Sequence, residues 1–472
     1  MIAQIASYLL AFFCMMYTAR YLGAAGFGIL SFALAFTGIF AVFGDLGLST
    51  LTVREVARDK SLAPKYVANV SLMKIILVAV TFGLIALTIN LMGYPAETIQ
   101  AVYLLALSVI FAAFTQMFYS IFQAYEKMEF QAIGQMLNAA LMLGGVILII
   151  KLGFGIIGFA YLYVITSAVA LVYSFAVMKL KFSNPAPASA TKAMEFDWSF
   201  WKPAIKQALP FGLSTIFVTV FYWISSVMLS SMKGDAVVGW YNAAYRMVLV
   251  LLFIPTAWSS AIFPVMSRFY VTSRDSLRFS FERSFKYLTI LAIPIGVGTT
   301  LLAQRFILLI FGAEYTNSII ALQILVWSSV FIFMSNSFGN LFNSLNRQII
   351  VTKLVGICCA ANVVLNLILI PRYGLSGASV ATLFTEFLAL VLSLIWSRKI
   401  GYSIFNRNSA SIVAKVLISS AAMGVFIVYF HNLKLQELVP LAALLYFVIL
   451  YIAKGLDKED MNLIRGVVRG KK

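Results

Sequence analysis

Histidine occurs once in 472 residues, as His431, and cysteine three times. A single imidazole completes neither a metal cage nor a Ser-His-Asp arrangement, so His431 reads as a polar end of a late apolar run. Cys14, Cys358 and Cys359 lie within apolar runs at no ligand spacing. Two of them are adjacent, which is poor geometry for a bridge, so neither a disulfide framework nor a zinc site is expected. Charge is scarce as well, at 11% of residues, and acids are outnumbered 17 to 35 by Lys and Arg. There is no P-loop and no GxGxxG following a strand, which excludes a nucleotide motor. No grouping of acid, base and nucleophile stands out, so no catalysis, cofactor or metal is expected.

What fills the chain instead is apolar surface: 62% hydrophobic residues and a mean hydropathy of +0.95. A helix needs about 20 apolar residues to cross the hydrocarbon. Lipid cannot satisfy backbone N–H and C=O groups, so such runs must be helices or a closed barrel. They lack the strict alternation of barrel strands. The fold class is therefore an all-α polytopic membrane protein with about fourteen transmembrane helices. The spans fall near 1–21, 28–48, 66–92, 97–124, 132–151 and 156–180, then 204–231, 237–258, 284–310, 317–345, 350–370, 375–397, 411–431 and 437–454. The first run has no basic n-region and continues into a span of full length, so it is expected to be a retained helix rather than a signal peptide.

Most of the 35 basic residues fall in the even-numbered loops and the C-terminal tail. By the positive-inside rule those loops are cytoplasmic, and both termini are inside. Topology thus accounts for the +18 net charge, and nucleic acid is not an expected partner. The halves resemble each other. Gly23-x4-Gly28-x-Leu30 recurs as Gly234-x4-Gly239-x-Tyr241, FQAYEKM (122–128) as FNSLNRQ (342–348), and FGIIG (154–158) as YGLSG (373–377). Both copies start with a span entered from the cytoplasm, so the repeat is parallel, a transporter pattern. The expected organisation is an N-terminal six-helix bundle over 1–180, a cytoplasmic linker over 181–203 and a second six-helix bundle over 204–400. Two extra helices over 401–454 and a cytoplasmic tail over 455–472 complete it.

The stretches RYLGAAGFG, GDLGLSTLTVREVAR, GWYNAAYRMVLVLLFIPTAWSSAIFPVMSRF and FGAEY resemble the polysaccharide-synthesis branch of the multidrug/oligosaccharidyl-lipid/polysaccharide exporter superfamily, which includes the O-antigen flippases. The resemblance runs from the first span to about residue 400. It implies two six-helix bundles that alternate access and a polyprenyl-diphosphate-linked glycan as cargo, moved from the cytoplasmic to the outer leaflet. It also implies membrane lipids as surroundings, a glycan polymerase and glycosyltransferases as partners, and a monomer. The chain departs from the pattern in starting almost at its first span, so a few residues are expected to be missing. It also lacks a basic residue in the middle of that span, where related murein-precursor flippases place an arginine.

Moving a diphosphate through a low-dielectric slab requires cations to replace its water. Arginine suits the task, because its planar fork donates paired hydrogen bonds and stays ionised. Ionisable groups inside spans are the first candidates, each costing about 2.5–3.5 kcal/mol at mid-membrane. Arg246, roughly 13 Å into its span, is expected to line a phosphate-binding cavity, with Lys74, Arg54 and Arg20 as further candidates. A structural carbonyl or acid partner competes for Arg246, snorkelling for Lys74, interfacial anchoring for Arg20, and an ion pair with Glu55 for Arg54. Asn242 joins this set. Asn336, Asn340 and Asn343 share one helix face and would suit sugar hydroxyls, with interhelical hydrogen bonding as the equal alternative. Gln116, Gln123, Asn362 and Asn366 are further intramembrane amides, and Tyr241, Tyr245 and Trp223 are possible stacking platforms. Asp45, flanked by glycines, could pair with Arg20 or Arg54 or bind a coupling cation, and Glu386 is a candidate for proton or sodium coupling, with pairing inside the helix bundle as the alternative. Pro255, Pro264 and Pro294 are candidate kinks.

Two other functions fit part of the pattern. An organic-cation antiporter of the same superfamily would need buried acids, and the first span has none. A non-transporting scaffold for glycan assembly would tolerate neutral substitutions at the intramembrane charges.

Overall fold

The computed structural model describes residues 2–182, 198–404, 407–456 and 460, with 2–9 and 407–409 described by backbone alone. The polar segment NPAPASATKAMEFD and most of the C-terminal tail lie outside the described residues. Among the described residues all regular structure is helical. The helices are α1 (Ile2–Ala41), α2 (Leu48–Arg58), α3 (Ala63–Leu91), α4 (Ala96–Ala124), α5 (Met128–Leu152), α6 (Ile156–Lys181) and α7 (Trp198–Lys233), followed by α8 (Asp235–Leu251), α9 (Phe253–Thr272), α10 (Arg274–Ile310), α11 (Ser318–Ser344), α12 (Gln348–Lys399), α13 (Arg407–Tyr429) and α14 (Leu435–Ile452).

Among the described residues twelve helical stretches are long and apolar enough to cross a membrane, which makes this a multi-pass membrane protein. Two of them carry two spans each. The 52 residues of α12 would extend about 78 Å if straight, more than twice the hydrocarbon thickness. Gly374 divides α12 with φ 53°, ψ −125°, and Gly23 divides α1 with φ 67°, ψ 178°. Only glycine adopts those angles without strain. Counting both halves of each, the described residues contain the fourteen spans read from the hydropathy. The segment after the second span is not a plain loop, however, because α2 occupies it. The eighth span likewise runs on through α9. The break between α8 and α9 falls at Leu252, just after the residue four positions before Pro255, whose ring would clash with the carbonyl of Leu251 in a continuous helix.

The chain divides into two compact units, Met1–Ala243 with Val355–Ala378, and Ala244–Leu354 with Ser379–Lys472. In the first unit α4 is central and packs on α1, α2, α3, α5 and α6, while α1 packs on α5 and α7. A buried cluster of Leu48, Leu51, Val56, Val70, Met73, Met117, Ile121 and Ala208 joins α2, α3, α4 and α7. Lipid offers no hydrophobic drive for helix association, so small residues that let backbones approach matter most. The recurring glycines do this reciprocally. A Cβ on Gly28 would lie 1.8 Å from the Asp235 carbonyl oxygen, and one on Gly239 would lie 1.9 Å from that of Ala24. The two copies of the glycine motif therefore seat on each other.

In the second unit α10 is central and packs on α9, α11, α13 and α14. The Tyr446 hydroxyl donates to the Ile290 carbonyl at 2.7 Å. Arg305 donates to the carbonyls of His431 (3.1 Å) and Leu433 (2.7 Å), tying the α13–α14 turn to the far end of α10. Asp460 lies wholly buried, bonded to Arg283, Lys286 and Tyr287 of α10.

The internal repeat is visible in turn geometry. Helix α4 ends with Lys127 N–H donating to the Phe122 carbonyl at 2.9 Å and Glu126 left-handed at φ 60°. Helix α11 ends with Arg347 N–H donating to the Phe342 carbonyl at 2.8 Å and Asn346 at φ 57°. These are the same helix-ending turn, at the positions where FQAYEKM and FNSLNRQ align.

Candidate functional site

The local build begins at Gly44-Asp45-Leu46-Gly47. The Asp45 carboxylate accepts from the N–H groups of Gly47 (3.2 Å) and Ser49 (3.3 Å), so it satisfies donors at the start of α2. Gly47 sits at φ 84°, and a Cβ there would lie 2.5 Å from the Ala208 carbonyl oxygen. Gly212 answers from α7, where a Cβ would lie 2.7 Å from the Leu46 carbonyl oxygen. Backbone thus rests on backbone, and the first turn of α2 is pinned to α7.

From that seat α2 projects Ser49, Thr50, Val53 and Arg54 into a recess of about 330 Å³, closed by Gln116 and Gln123 of α4 and Phe211 of α7. Arg54 is about one-third exposed, and its Nε donates to Glu55 Oε1 at 2.6 Å. Nη2 donates to Gln207 Oε1 at 2.7 Å, and the guanidinium stands 5.7 Å from the Phe211 ring centroid, within cation–π range. Nη1 has no partner among the described residues, nor has the exposed Gln116 amide. Gln123 donates to Gln131 Oε1 of α5 at 2.9 Å. The recess is a cation flanked by amides and one aromatic face, all on rigid helices.

Lys74 lies behind this recess and is wholly buried. Its ammonium bonds Asp45 Oδ1 (2.7 Å), Ser49 Oγ (3.0 Å) and the Ala113 carbonyl (2.8 Å). Those three contacts use all three donors of the ammonium, so Lys74 and Asp45 hold each other and join α2, α3 and α4.

The remaining candidates stand on α1, α8, α11 and α12. Arg20 is exposed on α1, and Arg246 is half-buried on α8. Asn242 is fully buried and exchanges hydrogen bonds with Ser226 of α7. Asn336 accepts from Ser259 of α9 at 2.6 Å, and Asn340 donates to the same hydroxyl at 3.0 Å, so this pair bridges α9 and α11. Asn343, on the same face, is half-buried with no side-chain hydrogen bond among the described residues. Glu386 on α12 is half-buried and likewise has no hydrogen bond or ion pair among the described residues. Asn362 and Asn366 bond each other and Ser225 of α7. Tyr241 is buried, leaving no open ring face, and Trp223 packs over Gly38. Gln207 and Phe211 were not legible as site residues. The available signal was a lone intramembrane amide and an aromatic four residues apart, hence on one face of α7.

The family model for polysaccharide biosynthesis proteins matches residues 1–270, more than half of the chain. The chain belongs to that family. A second model, MatE, matches residues 210–368. Among relatives of this family member, the probable low-salt glycan biosynthesis flippase Agl15 of Haloferax volcanii is 23% identical, over 79% of this chain and 76% of its own. A putative O-antigen transporter of Shigella flexneri is also 23% identical, over 81% of this chain and 92% of its own. The fold is similar to that of the lipid II flippase MurJ in an inward closed conformation, with a TM-score of 0.77 at 17% identity, covering 96% of this chain and 97% of that one.

Proposed function

We propose that this family member carries a polyprenyl-(di)phosphate-linked oligosaccharide from the cytoplasmic to the outer leaflet of the cell membrane, by alternating access, for a cell-surface polysaccharide. Both termini would lie in the cytoplasm, and a monomer would suffice. The relatives named as a glycan flippase and an O-antigen transporter support this reading. The observation that carries it is the recess at Arg54. Stripping water from a diphosphate costs several kcal/mol per charge. A guanidinium with an uncommitted edge returns charge-assisted, paired hydrogen bonds. The neighbouring amides of Gln116 and Gln123 both donate and accept, as sugar hydroxyls require. Arg246, Arg20 and Asn343 are proposed as further headgroup contacts. Glu386, a half-buried acid without a partner among the described residues, is the proposed coupling group.

The test is removal of the gene followed by complementation. Removal should trap lipid-linked glycan in the inner leaflet, and wild-type protein should release it. Arg54→Ala and Arg246→Ala, each at normal protein level, should fail to do so. Undiminished glycan display without the gene would overturn the function, and full activity of Arg54→Ala would overturn the recess. The match to MatE supports a second reading, export of organic cations. A cation, however, needs an acid in its site, and this recess offers a guanidinium. Resistance to cationic dyes distinguishes the two.

A further inference from the structure

Three donors converge on one anion in the second unit, and none of them belongs to the proposed cargo site. Arg283, Lys286 and Tyr287 stand at i, i+3 and i+4 on α10, hence on one face, and all donate to the carboxylate of Asp460. Arg283 and Tyr287 share Oδ1, the latter at 2.5 Å, while Lys286 takes Oδ2. Asp460 is wholly buried, and Lys286 and Arg283 are only 8% and 15% exposed. The chain beyond α14 thus places its own anion in a site built by α10.

The depth of that site follows from the sequence of α10. From Tyr287 to Gln304 the helix carries no charged residue, a run of about 27 Å, close to the thickness of the hydrocarbon. Before Tyr287 it mixes acid and base, through Asp275, Arg278, Glu282, Arg283 and Lys286. The three donors therefore stand where hydrocarbon gives way to headgroups, and the oxyanions of that layer are lipid phosphates. Basic pockets among spans at this level bind lipid headgroups. An arginine fork, an ammonium and a phenol suit phosphate as well as carboxylate, since each donates to a charged oxygen.

Asp460 reaches the site from a short strap. Helix α14 ends in a turn with Lys454 left-handed at φ 54° and Gly455 N–H donating to the Leu450 carbonyl at 2.8 Å. Lys415 of α13 donates to the Lys454 carbonyl at 3.0 Å, and Leu456 packs in the apolar cluster that Tyr287 also joins. The residues that follow Asp460, MNLIRGVVRGKK, include four bases and no acid. An anionic membrane surface attracts such a sequence and repels the carboxylate ahead of it.

We propose that Arg283, Lys286 and Tyr287 form a site for the phosphate of an anionic phospholipid, and that Asp460 is its built-in competitor. On a neutral membrane the carboxylate fills the site; on an anionic one a headgroup replaces it. Leaving two nearly buried cations without an anion is strongly unfavourable, so each departure is an exchange. The exchange reaches α9, because the Tyr287 ring meets Trp258 edge-on at 5.6 Å and Trp258 donates to Ser284 at 2.7 Å. The site is separate from the cargo reading and stands or falls without it.

The experiment titrates full-length protein with phosphatidylglycerol, and with phosphatidylcholine as the neutral control, counting bound lipid by native mass spectrometry. Asp460→Asn should bind phosphatidylglycerol at least fivefold tighter than wild type, and phosphatidylcholine no tighter. Adding Arg283→Gln and Lys286→Met should then lower phosphatidylglycerol affinity at least tenfold. Tyr287→Phe, which keeps both cations, should lower it at least threefold in the Asp460→Asn background, and it decides the case should the triple variant fail to fold. Phosphatidylglycerol should raise the Tm of Asp460→Asn, and inorganic phosphate at the same concentration should not. An equal rise would make this a site for free oxyanions and overturn the lipid. Equal phosphatidylglycerol affinity in wild type and Asp460→Asn would overturn the competition, and affinity indifferent to the three donors would overturn the site.

Discussion

The ammonium of Lys74 stands 2.7 Å from the carboxylate of Asp45, with Lys74 wholly buried and Asp45 29% exposed. This pair joins the α2 cap to α3, and through Ala113 to α4. Removing one partner of a buried pair costs about 3 kcal/mol, because the other charge is left uncompensated. Lys74→Met and Asp45→Asn should each lower the Tm of purified protein clearly. The double variant should lose less than the sum, with a coupling of about 0.5–3 kcal/mol. Additive losses would show that the two side chains stabilise independently.

The glycine seats allow a prediction of opposite signs. Gly28→Ala places a methyl 1.8 Å from the Asp235 carbonyl oxygen, which no flexible neighbour can relieve. It should cost at least about 1–3 kcal/mol and sharply reduce yield of monodisperse protein. Gly83→Ala meets nothing within 4 Å and should be neutral or stabilising by up to about 1 kcal/mol. Size-exclusion profiles of the two variants at matched expression check this directly.

Hydropathy revealed the spans because lipid leaves the backbone only helical solutions, and the left-handed turns at Glu126 and Asn346 follow the repeat the residues suggested. Helix α2 was harder to see. Its 11 residues are too few and too polar for a span, and its start depends on Gly47 meeting Gly212 some 165 positions later. The site was half legible for the same reason. Arg54, Gln116 and Gln123 are conspicuous as polar groups in or beside apolar runs, but only the fold brings α2, α4 and α7 around one recess. Lys74 and Asp45 looked like separate functional candidates because they stand 29 positions apart, and spacing carries no sign of a pair formed between helices.

A further ion cluster makes a testable claim about the end of the chain. Asp460 is buried and bonded to Arg283, Lys286 and Tyr287 of α10. Asp460→Asn keeps the shape but removes the charge beside the buried Lys286 and the part-buried Arg283. It should destabilise the protein by about 2–3 kcal/mol, read as a lower Tm. Adding Lys286→Met, which removes one of the stranded charges, should recover part of the loss. A Tm unchanged by Asp460→Asn would mean that the cluster contributes nothing net.

Glu55 allows the sharpest test of how the recess handles charge, because it acts against the proposed ligand. Its carboxylate holds Arg54 at 2.6 Å and also meets Arg58 at 3.4 Å, neutralising part of the field an incoming phosphate would feel. A part-exposed pair of neighbouring residues such as this is worth about 1 kcal/mol to folding, so Glu55→Gln should fold normally. With the competing anion gone, anionic carrier lipid should bind several-fold tighter, measured by titration in nanodiscs, with the gain shrinking at high salt as screening predicts. Arg54→Lys keeps the charge but loses the planar fork and should bind at least several-fold weaker than wild type. If Glu55→Gln weakens binding as much as Arg54→Lys does, the carboxylate is positioning Arg54 rather than competing for it, and the phosphate approaches from a different side.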